Sequence, residues 1–171
     1  MTCQLYLLRH AKAEPWNPLG NDFSRSLCGK GTRHARLVSG WMQDTLEPPD
    51  TVLCSPSKRT RETLAPILAR WPKLLSVTDY VDSMYGASLN MLLTLAEDAF
   101  SYSDRLLMVG HNPGFEDMLI SLLQREQAAS IQKMSTGTLA IIDFPDGFKR
   151  NSQSGNLIHL VRLKNFQSIE D

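Results

Sequence analysis

The sequence predicts an α/β protein with a three-layer αβα sandwich and a mainly parallel central sheet. Three short and almost wholly apolar runs, at residues 5–8, 51–54 and 106–109, have the composition of strands buried on both faces. Between them lie segments whose apolar residues recur at about 3.6-residue intervals, as expected for amphipathic helices. Alternating strands and helices favour parallel strands joined by helical crossovers.

The first half of the chain alternates in this way from the start. After the first strand, residues 12–31 contain several Pro and Gly residues and are expected to form a long loop. A helix is predicted from Thr32 to the Pro-Pro pair at 48–49. After the second strand, Ser57 is a suitable N-cap for another helix, which Pro66 is expected to kink or divide.

The middle of the chain continues the pattern with less regular signals. Residues 74–77 are a weak strand candidate, and the apolar spacing over 89–100 predicts a helix. After the third apolar strand, Asn112 as N-cap and Pro113 at the first helical position predict a further helix. Residues 124–137 are polar and are expected to be irregular.

Two closing strands are predicted at 138–144 and 156–163. The turn residues at 145–147 suggest a hairpin or a long return between them, so these strands would give the sheet an antiparallel edge. Residues 164–171 are expected to be a frayed tail. Because no repeat or linker interrupts the pattern, residues 1–171 are predicted to form a single domain.

The composition excludes several functional classes. The chain has 171 residues, 42% of them hydrophobic and 21% charged, with a formal net charge of zero, so neither a nucleic acid nor a membrane surface is an expected partner. Its three cysteines show no metal-binding spacing and suit a reducing compartment. The first apolar run is too short for a signal peptide, and no run could cross a membrane, so a cytoplasmic location is expected.

The three buried strands end in similar chemistry. The first ends at Arg9 and His10, the second at Ser55 with Arg59 shortly after it, and the third at His111. Since the carboxyl ends of parallel strands share one edge of a sheet, these side chains are expected to converge. Two guanidinium groups and two imidazoles suit a tetrahedral phosphoryl group, and no carboxylate cluster is present to hold a metal.

These motifs resemble those of the histidine phosphatase superfamily, the phosphoglycerate-mutase-like proteins. The resemblance extends from the N-terminus to about residue 123, with a partial match at 135–138, and it is greatest to the short SixA-type phosphatases that act on protein phosphohistidine. The matching pieces are Leu8-Arg9-His10-Ala11, the segment containing Asp22, Arg25, Leu27 and Gly31, Ser55-Pro56-Ser57-Lys58-Arg59 with Thr63, and Val109-Gly110-His111-Asn112-Pro113.

The resemblance implies a role for each matching residue. His10 would be the nucleophile that forms a phosphohistidine intermediate, Arg9 and Arg59 would bind the phosphoryl oxygens, and His111 would donate to the charge that develops on them. The resemblance implies neither a metal nor another cofactor. A neutral imidazole can attack at neutral pH, and fixed cationic donors supply the charge stabilisation that phosphoryl transfer needs.

Further candidates for substrate binding are weighed against structural roles. Arg25 could contact phosphate from the long loop, although a salt bridge with Asp22 is as good an explanation. Ser55 could support the turn or the phosphate, and Asn112 could contact substrate as well as cap its helix. Two other histidines are assigned structural positions: His34 on a solvated helix face and His159 half-buried in a strand.

Three departures from the family pattern bear on the substrate. Ser26 and Cys28 replace the usual Pro and Thr or Ser, which should affect the loop more than the chemistry. The proton donor of longer members has only Asp82 as a candidate, with Glu116 a weaker one. Since imidazole leaves more readily than an alkoxide, a weak or absent acid favours phosphohistidine on a signalling protein as the substrate. A small-molecule phosphomonoesterase and a non-catalytic phosphate-binding module remain the alternatives.

Overall fold

The computed structural model describes residues 2–150 and 152–169, and over this part of the chain it contains one six-stranded sheet and five α-helices. The strands are β1 (Cys3–Arg9), β2 (Thr51–Cys54), β3 (Thr78–Tyr80), β4 (Arg105–Gly110), β5 (Leu139–Phe144) and β6 (Asn156–Val161). The helices are α1 (Gly29–Thr45), α2 (Lys58–Arg70), α3 (Leu89–Phe100), α4 (Gly114–Leu122) and α5 (Arg125–Ser130). Short 3-10 helices cover Asp22–Ser24, Pro72–Val77, Asp82–Met84 and Leu163–Ile169.

The strand order is β3-β2-β4-β1-β5-β6. The first four strands in this order are parallel, whereas β5 pairs antiparallel with both β1 and β6. The predicted fold class, a mainly parallel sheet with antiparallel pairing at one side, is therefore confirmed. The oppositely directed strand is β5, one position in from the edge.

Strand β1 shows why the sheet is covered on both faces. Its side chains alternate, so Leu5 and Leu7 pack with α3 and α4, while Tyr6 and Leu8 pack with α1 and α2 on the other face. All four side chains are almost completely buried. Burying an apolar side chain of this size is worth about 2 kcal/mol, so a continuous apolar strand is stable only between two helical layers.

Helix α2 accommodates its internal proline without a break. Pro66 lies inside α2, and the helix continues to Arg70, so the predicted division of this helix is wrong. Ser57 is the N-cap residue, as predicted, but its hydroxyl contacts the Thr60 hydroxyl at 2.8 Å instead of capping a backbone N–H. None of the helices within the described residues combines the length and apolar character needed to cross a membrane.

The strand candidate at 74–77 is wrong. These residues belong to the 3-10 helix Pro72–Val77, and the strand β3 follows it. Pro72 sits in the first turn, where its fixed φ and missing N–H favour helical structure. Leu74 is buried while Leu75 is exposed, so this apolar pair does not supply a face for the sheet.

Two helix starts differ from prediction. Helix α1 begins at Gly29, inside the predicted loop, and α4 begins at Gly114 with Pro113 as its N-cap residue. Asn112 does not cap α4: among the described residues its Oδ1, the atom that would accept from a helix N–H, has no hydrogen-bond partner. Its side-chain N–H group donates to Glu116 and to the Met134 carbonyl. Helix α5 lies in the stretch 124–137 that was predicted to be irregular.

The end of the chain is more ordered than predicted. Residues Leu163–Ile169 form a 3-10 helix, and Phe166 is buried with its ring 6.1 Å from that of His34. The expected frayed tail is therefore wrong over these residues, and positions 170 and 171 lie outside the described part. The prediction that His34 is solvated is also wrong, because this contact and the packing of α1 against the sheet bury it. His159 is half-buried in β6, as predicted.

Candidate active site

The candidate site lies where the parallel strands end. Arg9 pairs with Gly110 and Cys54 with Val109, so β1, β4 and β2 end at the same level. The backbone pairing continues one residue further: His10 N–H donates to the Gly110 carbonyl at 3.0 Å, and Ser55 N–H donates to the Val109 carbonyl at 2.9 Å. The sheet thereby positions the backbone of the predicted site residues.

His10 is held as a neutral ring with one unprotonated nitrogen. Its Nδ1 lies 2.7 Å from the Ala11 carbonyl oxygen, which can only accept, so Nδ1 carries the hydrogen and Nε2 keeps its lone pair. Burial, and then the positive charge of Arg59, lower the pKa of His10 to about 4. The ring is therefore neutral at physiological pH, with Nε2 available as a nucleophile.

Arg59 contacts the unprotonated nitrogen of His10. Its Nε–H donates to His10 Nε2 at 3.3 Å, and its Nη2 lies 3.4 Å from His111 Nδ1. Its two terminal nitrogens also donate to Asp22: Nη1 to the backbone carbonyl at 2.7 Å and Nη2 to the carboxylate at 3.0 Å. Arg59 is only 5% exposed, so its charge acts in a poorly solvated environment.

His111 is oriented by Ser55. Because Arg59 can only donate, it faces the lone pair of His111 Nδ1, which places the ring hydrogen on Nε2, 2.7 Å from Ser55 Oγ. Burial and the neighbouring charges, including that of Arg59, lower the pKa of His111 to about 3. The two histidine rings are 5.2 Å apart, and a phosphoryl dianion between them would favour a proton on His111.

Arg9 is anchored by a network on the other side of the site. Its Nη1 donates to the Met134 carbonyl at 2.8 Å, and the Met134 N–H donates to the Glu116 carboxylate at 2.7 Å. Asn112 bridges Glu116 and the Met134 carbonyl. Glu116, the weaker candidate for proton donor, is thus an acceptor that fixes the loop holding Arg9.

Sequence reasoning did not assign a function to Asp22 or Tyr85. Asp22 binds Arg25 at 2.9 Å and Arg59 at 3.0 Å, and Tyr85 Oη donates to the same carboxylate at 2.7 Å. The predicted Arg25–Asp22 salt bridge is therefore present. The bond from Tyr85, followed by the charges of Arg59 and Arg25, holds the pKa of Asp22 below its ordinary value. The Asp-x-x-Arg spacing in the loop indicates the ion pair between Asp22 and Arg25. No feature of the sequence indicated the contact of Asp22 with Tyr85.

These residues surround a cavity of about 410 Å³. It is lined by Arg9, His10, Lys12, Ala13, Asp22, Arg25, Arg59, His111, Asn112 and Thr136. Asp22 is the carboxylate in this lining. Asp82 is exposed in its 3-10 helix and does not line the cavity, so its role as a proton donor stays a prediction without geometric support. Ser55 reaches the site through His111.

The cavity lining combines four cationic side chains, two neutral imidazoles and one carboxylate. Such a site can bind a phosphoryl group, present a nucleophilic nitrogen to it and neutralise the charge that develops on its oxygens. Among the described residues, no group of three or more His, Cys, Asp or Glu side chains is placed to hold a metal ion.

The chain is similar to several known proteins. The model of the histidine phosphatase superfamily (branch 1) matches residues 5–84. An uncharacterised protein of Mycobacterium tuberculosis, Rv1276c, is 32% identical over 115 residues, covering 67% of this chain and 69% of its own. A crystal structure assigned to phosphohistidine phosphatase SixA of Agrobacterium tumefaciens has a TM-score of 0.81 and 28% identity, covering 94% of this chain and 97% of its own.

A further solved structure shares the fold. The protein histidine phosphatase SixA in complex with tungstate has a TM-score of 0.79 and 18% identity, covering 96% of this chain and 99% of its own. The chain belongs to the histidine phosphatase superfamily. Within that superfamily it is of the short SixA type, and its family and fold support phosphatase activity.

Proposed function

We propose that this protein is a phosphohistidine phosphatase that removes the phosphoryl group from a histidine of a signalling protein and needs no metal ion. The observation that carries the proposal is the state of the carboxylate that lines the site. Asp22 receives hydrogen bonds from Arg59, Arg25 and Tyr85, which keep it ionised at neutral pH. An ionised carboxylate has no proton to donate to a leaving group.

The ionised state of Asp22 bears on which leaving group the site can release. A phosphomonoester releases an alkoxide, which needs a proton from the enzyme at or before its departure. Phosphohistidine releases an imidazole, which departs as a neutral ring when its other nitrogen carries a hydrogen. A site whose one carboxylate has no proton to give to a leaving group suits phosphohistidine better than an ester.

The reaction would proceed in two displacements. The lone pair of His10 Nε2 attacks phosphorus, a new N–P bond forms, and the N–P bond to the substrate imidazole breaks. Arg9, Arg59 and a protonated His111 would stabilise the phosphoryl oxygens during this transfer. Water then attacks the phosphorus bound to His10, the N–P bond breaks with the electron pair returning to Nε2, and inorganic phosphate leaves.

The surroundings of the cavity support a protein as the substrate. Trp16 and Leu19 are 64% and 97% exposed in the loop before the Asp22–Ser24 helix. A second cavity of about 280 Å³, lined in part by Trp16, shares Asp22 and Arg25 with the phosphoryl site. Exposed apolar side chains beside a cationic site suit contact with a protein surface that carries the phosphohistidine.

The test is phosphate release from a phosphohistidine-carrying protein and from a panel of small phosphomonoesters, with a metal chelator present. We expect release from the phosphoprotein only, and its loss in His10→Ala but not in the control His159→Ala, which alters a half-buried histidine in β6. Preference for small esters would overturn the substrate assignment. Phosphate binding without turnover would leave the binding module as the function.

A further inference from the structure

Asp22 occupies the positions that a bound phosphoryl group needs. Its two carboxylate oxygens divide between two cations, Oδ1 to Arg25 Nη2 at 2.9 Å and Oδ2 to Arg59 Nη2 at 3.0 Å. A phosphoryl group attached to His10 Nε2 would lie beside the same Nη2 nitrogen, because Arg59 Nε already contacts that histidine at 3.3 Å. Two anions on the same donors would repel each other.

The arginines do not depend on this carboxylate for their placement. Arg59 Nη1 donates to the backbone carbonyl of Asp22 at 2.7 Å, and Arg25 Nη1 donates to the Glu14 carbonyl at 3.2 Å. The loop itself is held by Asn21, whose side chain accepts from the Phe23 N–H and caps the short helix. Both guanidinium groups would therefore keep a backbone anchor if the carboxylate moved away.

The carboxylate also has a path away from the site. Its side chain is 39% exposed, whereas that of Arg59 is 7% exposed, so Asp22 can turn toward solvent while the arginine stays in place. Tyr85, an exposed residue that directly follows the Asp82–Met84 helix, donates a hydrogen bond from its Oη to Asp22 Oδ2 at 2.7 Å. This bond resists the movement, and its loss should ease it.

We propose that Asp22 is a resident anion that the incoming phosphoryl group displaces from Arg25 and Arg59, so that this residue sets the affinity of the site for phosphate. The inference rests on the proposed function only in assuming that the cavity binds a phosphoryl group. A resident anion weakens binding of free phosphate, the product, because every binding event must first break two ion pairs. It also keeps two cations paired when the site is empty of substrate.

The test is calorimetric titration with inorganic phosphate of the wild type and of Asp22→Asn, which keeps the shape of the side chain and removes its charge. We expect the Kd for phosphate to fall about fivefold, as for the loss of ion-pair competition worth about 1 kcal/mol. Tyr85→Phe should lower it about twofold. The matched control Asp44→Asn, an exposed aspartate of α1, should leave it unchanged.

The direction of the change separates displacement from a structural role. If Asp22 merely holds the arginines in place, Asp22→Asn will weaken phosphate binding, and an unchanged or higher Kd overturns the proposal. If Asp22→Asn fails to fold, the direction of the change in Kd for Tyr85→Phe tests the same proposal. The titration measures binding and not turnover. A wild type that binds phosphate but does not hydrolyse phosphohistidine would therefore refute the proposed function, while the titration would still test this inference.

Discussion

His10 and His34 have different surroundings although burial lowers the pKa of both rings. They are 7% and 4% exposed, and desolvation lowers the pKa of each to about 4. His10 has a backbone carbonyl on Nδ1 and a cationic cavity at Nε2. His34 instead packs against Gly137 and Phe166, and within the described residues its Nε2 has no hydrogen-bond partner.

The comparison shows that a lowered histidine pKa does not identify a nucleophile. What distinguishes His10 is a fixed tautomer, a lone pair directed at a cavity, and cations placed to receive the phosphoryl oxygens. His34 has a supporting position instead, because its ring packs against Gly137. Gly137 in turn donates its N–H to the carbonyls of Arg9 and His10. Three predictions sharpen this contrast.

The largest expected effect is on the rate. His10→Ala should lower phosphate release from phosphohistidine at least ~10³-fold, because it removes the atom that accepts the phosphoryl group. His34→Gln should leave the rate within about threefold of the wild type. Steady-state rates, with circular dichroism to confirm folding, check both variants. A loss in His34→Gln as large as that in His10→Ala would contradict the distinction.

The second prediction concerns stability and pH. The folded-state pKa of His34, about 4, lies below its ordinary value of about 6.5, so the unfolded chain binds a proton that the folded protein excludes. The corresponding stability is complete above about pH 6.5 and is lost as the pH falls toward 4. His34→Gln should therefore lose about 2 to 3 kcal/mol less than the wild type between pH 7.5 and pH 4.5.

Urea unfolding at the two pH values measures this difference. The comparison is made within each variant between the two pH values, so a constant stability cost of the substitution cancels. Parallel losses in the wild type and in His34→Gln would show that the ring is not kept neutral by burial.

The smallest effect is expected at Ser55, which acts through His111. Ser55→Ala removes the acceptor for His111 Nε2–H, a bond of 2.7 Å, and should lower the rate about tenfold, as for a lost hydrogen bond of about 1.4 kcal/mol. Ser57→Ala is the matched control, since this equally buried hydroxyl contacts Thr60. Equal rates for the two variants would remove Ser55 from the site.

The strands were the most predictable part of the fold. The runs at 5–8, 51–54 and 106–109 lie within β1, β2 and β4 because a continuous apolar strand has few alternatives to a doubly covered position. Local signals failed where a short apolar pair, Leu74 and Leu75, predicts a strand face. They also failed at Asn112, whose side chain does not cap the helix and instead donates to the carbonyl of Met134, 22 residues away.

The site was predictable in part for the same reason. Arg9, His10, Arg59 and His111 were placed together from strand ends alone, and the structure brings them together, although their catalytic roles stay predictions. The Asp22–Arg59–Tyr85 contacts span 37 and 63 residues of sequence, so no local pattern could have indicated them.

The sequence by itself determined which strands are buried and which residues stand at their carboxyl ends, because apolar composition and chain order suffice for both. Only the tertiary structure decided the environment of each ionisable group. The tautomer of His10, the burial of His34 and the two cations on Asp22 all depend on which segments pack together. Hydrogen bonds and close ion pairs form only at separations of a few ångströms, and distances of that size between remote residues are set by the fold.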